Sequence, residues 1–130
     1  MKKDIGTLMY NDIIIKNFTE PHNVGDLESA DYEIEIGNPV CGDRIKVQLL
    51  VTDKVINKAV FRAWGCATSV ATANIFCSSI AGEAYDNISQ RQPLEIGQML
   101  GELEPSQQHC VEILVELHQK LADTISSGVV

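Results

Sequence analysis

Long apolar runs are missing from this chain. No segment approaches the roughly 20 apolar residues needed to cross a bilayer, and nothing of signal-peptide length follows Met1-Lys2-Lys3-Asp4. The expectation is a cytoplasmic protein with no membrane partner. Positive charge is scarce as well: 10 Lys and Arg stand against 18 Asp and Glu, a formal charge of −8. Binding to a phosphate backbone depends on clustered cations that release counterions, so no nucleic-acid partner is expected, and a protein with a basic docking face fits better. Internal repeats, low-complexity stretches and linkers are also absent. At 130 residues and 45% hydrophobic, the chain can fill one core. Residues 1–130 are therefore read as one domain, with 1–9 as a flexible lead-in.

Cysteine is sparse and has no CxxC pairing; Cys41, Cys66 and Cys110 are 25 and 44 residues apart. Such separations exclude a zinc knuckle, which needs ligands paired on tight hairpins. A domain with an adequate core in a reducing compartment does not need disulfides, so the thiols remain available as ligands or nucleophiles.

The hydrophobic periodicity divides the chain into zones. Tyr10 to Phe18 carries Ile13, Ile14, Ile15 and Phe18 and stops before Pro21, which predicts a short docking helix. From Tyr32 the period becomes two: Tyr32, Ile34 and Ile36, then Ile45, Val47, Leu49 and Val51, then Ala59, Phe61 and Ala63. These are half-buried strands, and Asp53-Lys54 supplies the turn of an antiparallel meander. After Cys66 the spacing of Val70, Ala73, Cys77 and Ile80 is helical, and Gly82 can cap the helix. Pro93, Gly97 and Gly101 break the next stretch into one or two small helices. A last helix from about Gln107 to Ile125 has Ser106 as its expected N-cap. Strands first and helices after predict an α+β fold: a small three-stranded antiparallel sheet with helices packed on one face, preceded by a short N-terminal helix.

Five side chains carry the chemistry: Cys41 and Asp43 in Cys41-Gly42-Asp43, Cys66 in Gly65-Cys66, and the pair His109-Cys110. Soft thiolates mixed with an imidazole and a carboxylate suit iron, zinc or an iron–sulfur cluster better than calcium or magnesium. All five fall at ends of predicted elements. Unpaired N–H groups in the first turn of a helix favour thiolate over thiol, so Cys66 and Cys110 are both expected to have lowered pKa values. Gly42 and Gly65 would allow close approach of the backbone.

In this order and at nearly these spacings, Cys41-Gly42-Asp43, Gly65-Cys66 and His109-Cys110 resemble the IscU/NifU-type iron–sulfur cluster scaffold family. Tyr10 and the run Glu20-Pro21-His22-Asn23-Val24-Gly25 extend the likeness over most of the chain. The resemblance implies a scaffold or carrier, not an enzyme. It would accept persulfide sulfur from a cysteine desulfurase, take iron and electrons from a donor, build a transient [2Fe-2S] cluster and pass it to apo iron–sulfur proteins. Carried over by position, Cys41, Cys66 and Cys110 are the thiolate ligands, Asp43 or His109 completes the site, and Cys110 is the first choice as persulfide acceptor, with Cys41 and Cys66 as alternatives. A carboxylate ligand would make the cluster more labile, as a donor of clusters requires. Where many members carry a Leu-Pro-Pro-Val-Lys segment that recruits a specialised chaperone, this chain has Leu103-Glu104-Pro105-Ser106-Gln107. The lysine is missing, which speaks against that partner. A homo-oligomer, with a cluster shared between chains, stays open.

Other residues read more plainly. Cys77 lies eleven residues after Cys66 on one helix, about 16 Å along its axis, too far to share a metal; it reads as core. His22 and His118 read as structural, and Trp64 either shields the site or faces core or partner. Two other functions were weighed. The first is a zinc protein, structural or sulfur-transferring, with zinc also able to occupy an isolated scaffold. The second is a thiol enzyme pairing Cys110 with His109, which the divergence of about 100° between neighbouring helical side chains makes geometrically poor.

Overall fold

A computed structural model describes residues 11–38 and 43–127; the lead-in over 1–9 and Cys41 lie outside the described residues. Helix α1 (Asp12–Thr19) starts two residues later than its hydrophobic pattern suggested, because Asn11 caps it. The Asn11 side chain accepts from the Ile14 N–H at 2.8 Å, and its Nδ2 donates to the carbonyls of Leu100 and Glu102 at 2.8 and 2.6 Å. One residue thus satisfies an orphan helix donor and fastens α1 to a loop ninety residues away. Gly101 in that loop is at φ 75°, and a Cβ there would lie 3.0 Å from Ile13 Cδ1 and 3.1 Å from Asn11 Nδ2, so this contact requires glycine.

Three antiparallel strands follow: β1 (Tyr32–Asn38), β2 (Asp43–Thr52) and β3 (Val55–Trp64), in the order β1-β2-β3. Asp53 and Lys54 have φ of 53° and 64°, the left-handed pair that a two-residue hairpin requires. The alternation places Ile34 and Ile36, Ile45, Val47 and Leu49, and Ala59 and Phe61 in the core. Strand β3 begins three residues earlier than Lys58, where the alternation first becomes clear. The β2–β3 register shifts at Leu50/Val51, where Val51 pairs with Ile56 and Leu50 with Lys58. Asn57 is the extra residue of a bulge, and a bulge inverts the in-out phase that a sequence reading follows.

Helices α2 (Ala67–Ile80) and α5 (His109–Ser127) lie on the apolar face, α2 against β2 and β3 and α5 against β1, and α1 packs on α2. Two short helices, α3 (Tyr85–Ser89) and α4 (Pro93–Gln98), connect them. The other face of the sheet is solvated, with Arg44 on Glu35 at 2.5 Å and Arg62 on Asp26 at 2.9 Å. This is the α+β fold expected, with one refinement. The four-residue stripe read on α2 is too narrow, since that helix is also buried at Thr68, Ser69, Thr72 and Asn74. A helix covered by a sheet and two other helices keeps almost no solvent face, so its polar residues must find partners inside. Asn74 does so: its Oδ1 accepts from the Asn23 N–H at 3.0 Å and its Nδ2 donates to Asn17 Oδ1 at 2.7 Å. The segment around Asn23 then bonds along β3, with Phe61 N–H donating to the Asn23 carbonyl at 2.9 Å and Gly25 N–H to the Phe61 carbonyl at 3.0 Å. This covers the sheet edge that would otherwise be open there.

Candidate functional site

Strand β3 ends at Trp64, and Gly65 at φ 138° turns the chain into α2. Cys66 is the residue this turn delivers to the N-cap, with φ −80° and ψ 170°; its side chain makes no capping bond, and the thiol is exposed. A serine or aspartate there would cap the helix, so a cysteine at this place trades stability for a thiol on an electropositive helix end. Its Sγ is 2.9 Å from Thr68 Oγ1 and 3.5 Å from Ser69 Oγ.

The second arm comes from α5. A 3-10 turn (Pro105–Gln107) precedes it, so Ser106 lies inside that turn and is not the N-cap expected from its residue type. The turn brings His109 and Cys110 into the first turn of α5, as predicted. His109 is exposed and its Nε2 is 3.4 Å from Thr68 Oγ1. Cys110 is fully buried beneath α2. Burial pushes its thiol pKa up, the Thr68 and Thr72 hydroxyls facing it pull the other way, and Cys66 nearby adds to the rise. The expectation of a lowered pKa at Cys110 is therefore corrected. The helix end is present, but loss of water around the sulfur outweighs it.

Asp43 opens β2 opposite Asn38, and Arg44 pairs with Trp64. The backbone register thus places the start of β2 beside the strand end that leads into Cys66. Cys66, His109 and Cys110 converge on the residues of the first turns of α2, whereas Cys41 falls outside the described residues. Among the described residues no three His, Cys, Asp or Glu groups stand ready to hold a metal ion. Cys110 is buried whereas His109, one residue before it, is exposed and reaches back to Thr68. The donor chemistry suits a soft metal or cluster, but closing a site needs a further donor from the β1–β2 side or a rotation of these side chains.

Of the residues read as structural, Cys77 and His118 are buried, whereas His22 is exposed. Cys77 is fully buried and its thiol pKa is strongly raised by burial. His118 Nδ1 donates to the Leu114 carbonyl at 2.8 Å, and Arg91 Nη1 reaches Nε2 at 3.1 Å. Trp64 is 45% exposed with the Arg44 guanidinium 4.7 Å from its ring centroid, so it faces solvent and is not part of the core. What sequence reasoning missed is the hydroxyl lining, Thr68 and Thr72. Its only trace in the sequence is a pair of threonines at i, i+4, starting two residues after Cys66, in a helix that also carries Ser69, Asn74, Ser78 and Ser79.

An α+β sheet-and-helix layer with cysteines at the heads of its two main helices defines a class, and the comparisons name it. Residues 9–123 match the NifU-like N terminal domain family, and the chain belongs to that family. Among its relatives, the Archaeoglobus fulgidus iron–sulfur cluster assembly scaffold protein IscU 1 is 31% identical over 108 residues, 83% of this chain and 71% of that one. The Escherichia coli iron–sulfur cluster assembly scaffold protein IscU is 30% identical over 113 residues, 84% of this chain and 87% of the other. In fold the chain is similar to the crystal structure of a NifU-like protein (N-terminal) from Brucella abortus, with TM-score 0.68, 18% identity and coverage of 95% and 96% of the two chains. A putative scaffold protein for the SUF system from Fervidobacterium islandicum follows at TM-score 0.60 and 21% identity, over 89% and 86% of the two chains.

Proposed function

We propose that this chain is a scaffold on which an iron–sulfur cluster is assembled and from which it is passed on. Family membership, with scaffold relatives at about 30% identity over more than four-fifths of the chain, carries this reading. The meeting of Cys66, His109 and Cys110 around Thr68 supports it. The alternative of a structural or sulfur-transferring zinc protein gains nothing from those relatives.

The finer assignment is as follows. Residues 1–130 form one domain acting in the cytoplasm as a carrier, not as an enzyme. Cys41, Cys66 and Cys110 supply thiolates, and Asp43 or His109 supplies the remaining donor. A cluster is cargo here, so the site must be soft enough to bind iron and open enough to release it. An exposed thiol at a helix N-terminus beside an exposed imidazole meets both needs. Cys110 accepts sulfur from a cysteine desulfurase once docking of that partner opens its buried thiol: its thiolate attacks the outer sulfur of the donor persulfide, a new S–S bond forms on Cys110, and the donor cysteine leaves as thiolate. An electron donor reduces that sulfur to sulfide and frees the thiol, two such rounds and two irons give [2Fe-2S], and apo iron–sulfur proteins receive the product. Zinc fits the same donors in the isolated protein.

The test is anaerobic incubation of the purified protein, its metal content measured beforehand, with ferrous iron, cysteine and a cysteine desulfurase, followed by addition of an apo-ferredoxin. Sulfide-to-iron charge-transfer bands that appear on the protein and then move to the ferredoxin are expected. A protein that acquires no such bands while retaining zinc would belong to the zinc class instead.

A further inference from the structure

Three donors from two helices meet at one small side chain that belongs to none of them. Thr68 is the second residue of α2 and only 4% exposed. Its Oγ1 lies 2.9 Å from Cys66 Sγ and 3.4 Å from His109 Nε2, and the same hydroxyl faces the Cys110 thiol. A hydroxyl has one proton to donate and two lone pairs to accept with, so one Thr68 oxygen can serve the thiol and the imidazole together. Threonine has only two common χ1 rotamers in a helix, so its oxygen has few places to go compared with the end of a long side chain.

We infer that Thr68 is a positioning residue: its hydroxyl ties Cys66 on one helix to His109 on the other, beside the buried Cys110, before any metal arrives. The inference rests on the reading of these three as donors to the cluster. Without this bridge nothing on Thr68 would fix the His109 imidazole of one helix against the Cys66 thiol of the other, and binding would have to bring them together. A partner that orients metal ligands from behind typically changes affinity by about 10- to 100-fold when removed. Thr72, one turn further along α2, gives a second sign that the space beside Cys110 is built for more than packing. Its Oγ1 is buried on the same side of α2 and, like Thr68, acts on the Cys110 thiol.

The experiment is titration of the metal-free full chain with cobalt(II), read by the thiolate-to-cobalt charge-transfer band, for wild type, Thr68→Val and Thr68→Ser, with thermal melts alongside. Thr68→Val keeps the shape and removes the hydroxyl; Thr68→Ser keeps the hydroxyl and removes the methyl. The expected result is an affinity about tenfold weaker in Thr68→Val and within about twofold of wild type in Thr68→Ser. Wild-type affinity in Thr68→Val, or an equal loss in Thr68→Ser, would overturn the inference. Thr68→Ala against Thr68→Ser repeats the hydroxyl comparison without the branched side chain, so a valine variant that fails to fold still leaves a decisive pair. A wild type with hydroxyl-dependent cobalt binding that never acquires a cluster would remove the scaffold reading and keep Thr68. A cluster-building protein indifferent to the hydroxyl would do the reverse, and a wild type with no thiolate-to-cobalt band would overturn both.

Discussion

Helices α2 and α5 each carry one site residue type twice: Cys66 and Cys77 on α2, His109 and His118 on α5. The near pair stands at the helix heads and the far pair about two to three turns along. Chemically the pairs are identical, yet their surroundings are opposite. At the far end the imidazole is buried against Phe76, bonded at both nitrogens, and Arg91 ties it to Ser79 through bonds of 2.6 Å to the carbonyl and 3.0 Å to the hydroxyl. At the near end the thiol and imidazole are exposed, and they meet through the hydroxyl of Thr68. Residue type alone does not make a site; placement at an accessible helix end beside another candidate donor does.

The comparison breaks most visibly in thiol chemistry. In the metal-free native protein, iodoacetamide followed by peptide mapping should modify Cys66 at least about a thousandfold faster than Cys77, because reaching Cys77 needs opening of the core. Comparable rates would mean that the far end is not closed. A smaller effect is expected in stability. Arg91→Met removes three hydrogen bonds at the far end and should cost about 2 to 3 kcal/mol in urea unfolding, while His109→Ala should stay within about 0.5 kcal/mol. Equal losses would erase the distinction.

Cys66→Ser sharpens the same point with the opposite sign. Because Cys66 leaves its helix uncapped, a serine hydroxyl should raise stability by about 0.5 to 1 kcal/mol while removing a ligand. An unchanged or lowered midpoint would argue against the trade. The smallest effect concerns pH. Burial, and to a lesser degree the Arg91 guanidinium, lowers the His118 pKa from its ordinary value. The unfolded chain therefore binds a proton more readily than the folded one. This contribution is complete above about pH 6.5 and is lost as pH falls through the depressed folded value. His118→Gln should flatten the fall in stability below pH 6.5, measured by denaturation across pH 5 to 7.

How much of this was legible in the sequence follows from what periodicity encodes. Strands β1 and β2, the Asp53-Lys54 turn and the helical run after Cys66 all show in spacing, since each buries a regular face. The start of β3 did not, because the bulge at Asn57 inverts the phase. Cys66 and His109-Cys110 were legible as chemistry at element ends, but not the burial of Cys110, which depends on how α5 packs under α2. Contacts between distant polar groups were the least legible. Asn23 with Asn74, Asn11 with the loop at Leu100, and Thr68 with His109 join residues 41 to 89 positions apart. No local pattern marks a polar residue whose partner the fold supplies.

The central claim, that the working thiols are Cys66 and Cys110 at the helix heads and not Cys77 about three turns along α2, is tested most directly by visible spectra of Cys66→Ala, Cys110→Ala and Cys77→Ala proteins after anaerobic reconstitution with ferrous iron and desulfurase-derived sulfur. The account predicts that charge-transfer bands are lost in the first two and kept in the third. Bands that survive loss of Cys66 or vanish with Cys77 would contradict it.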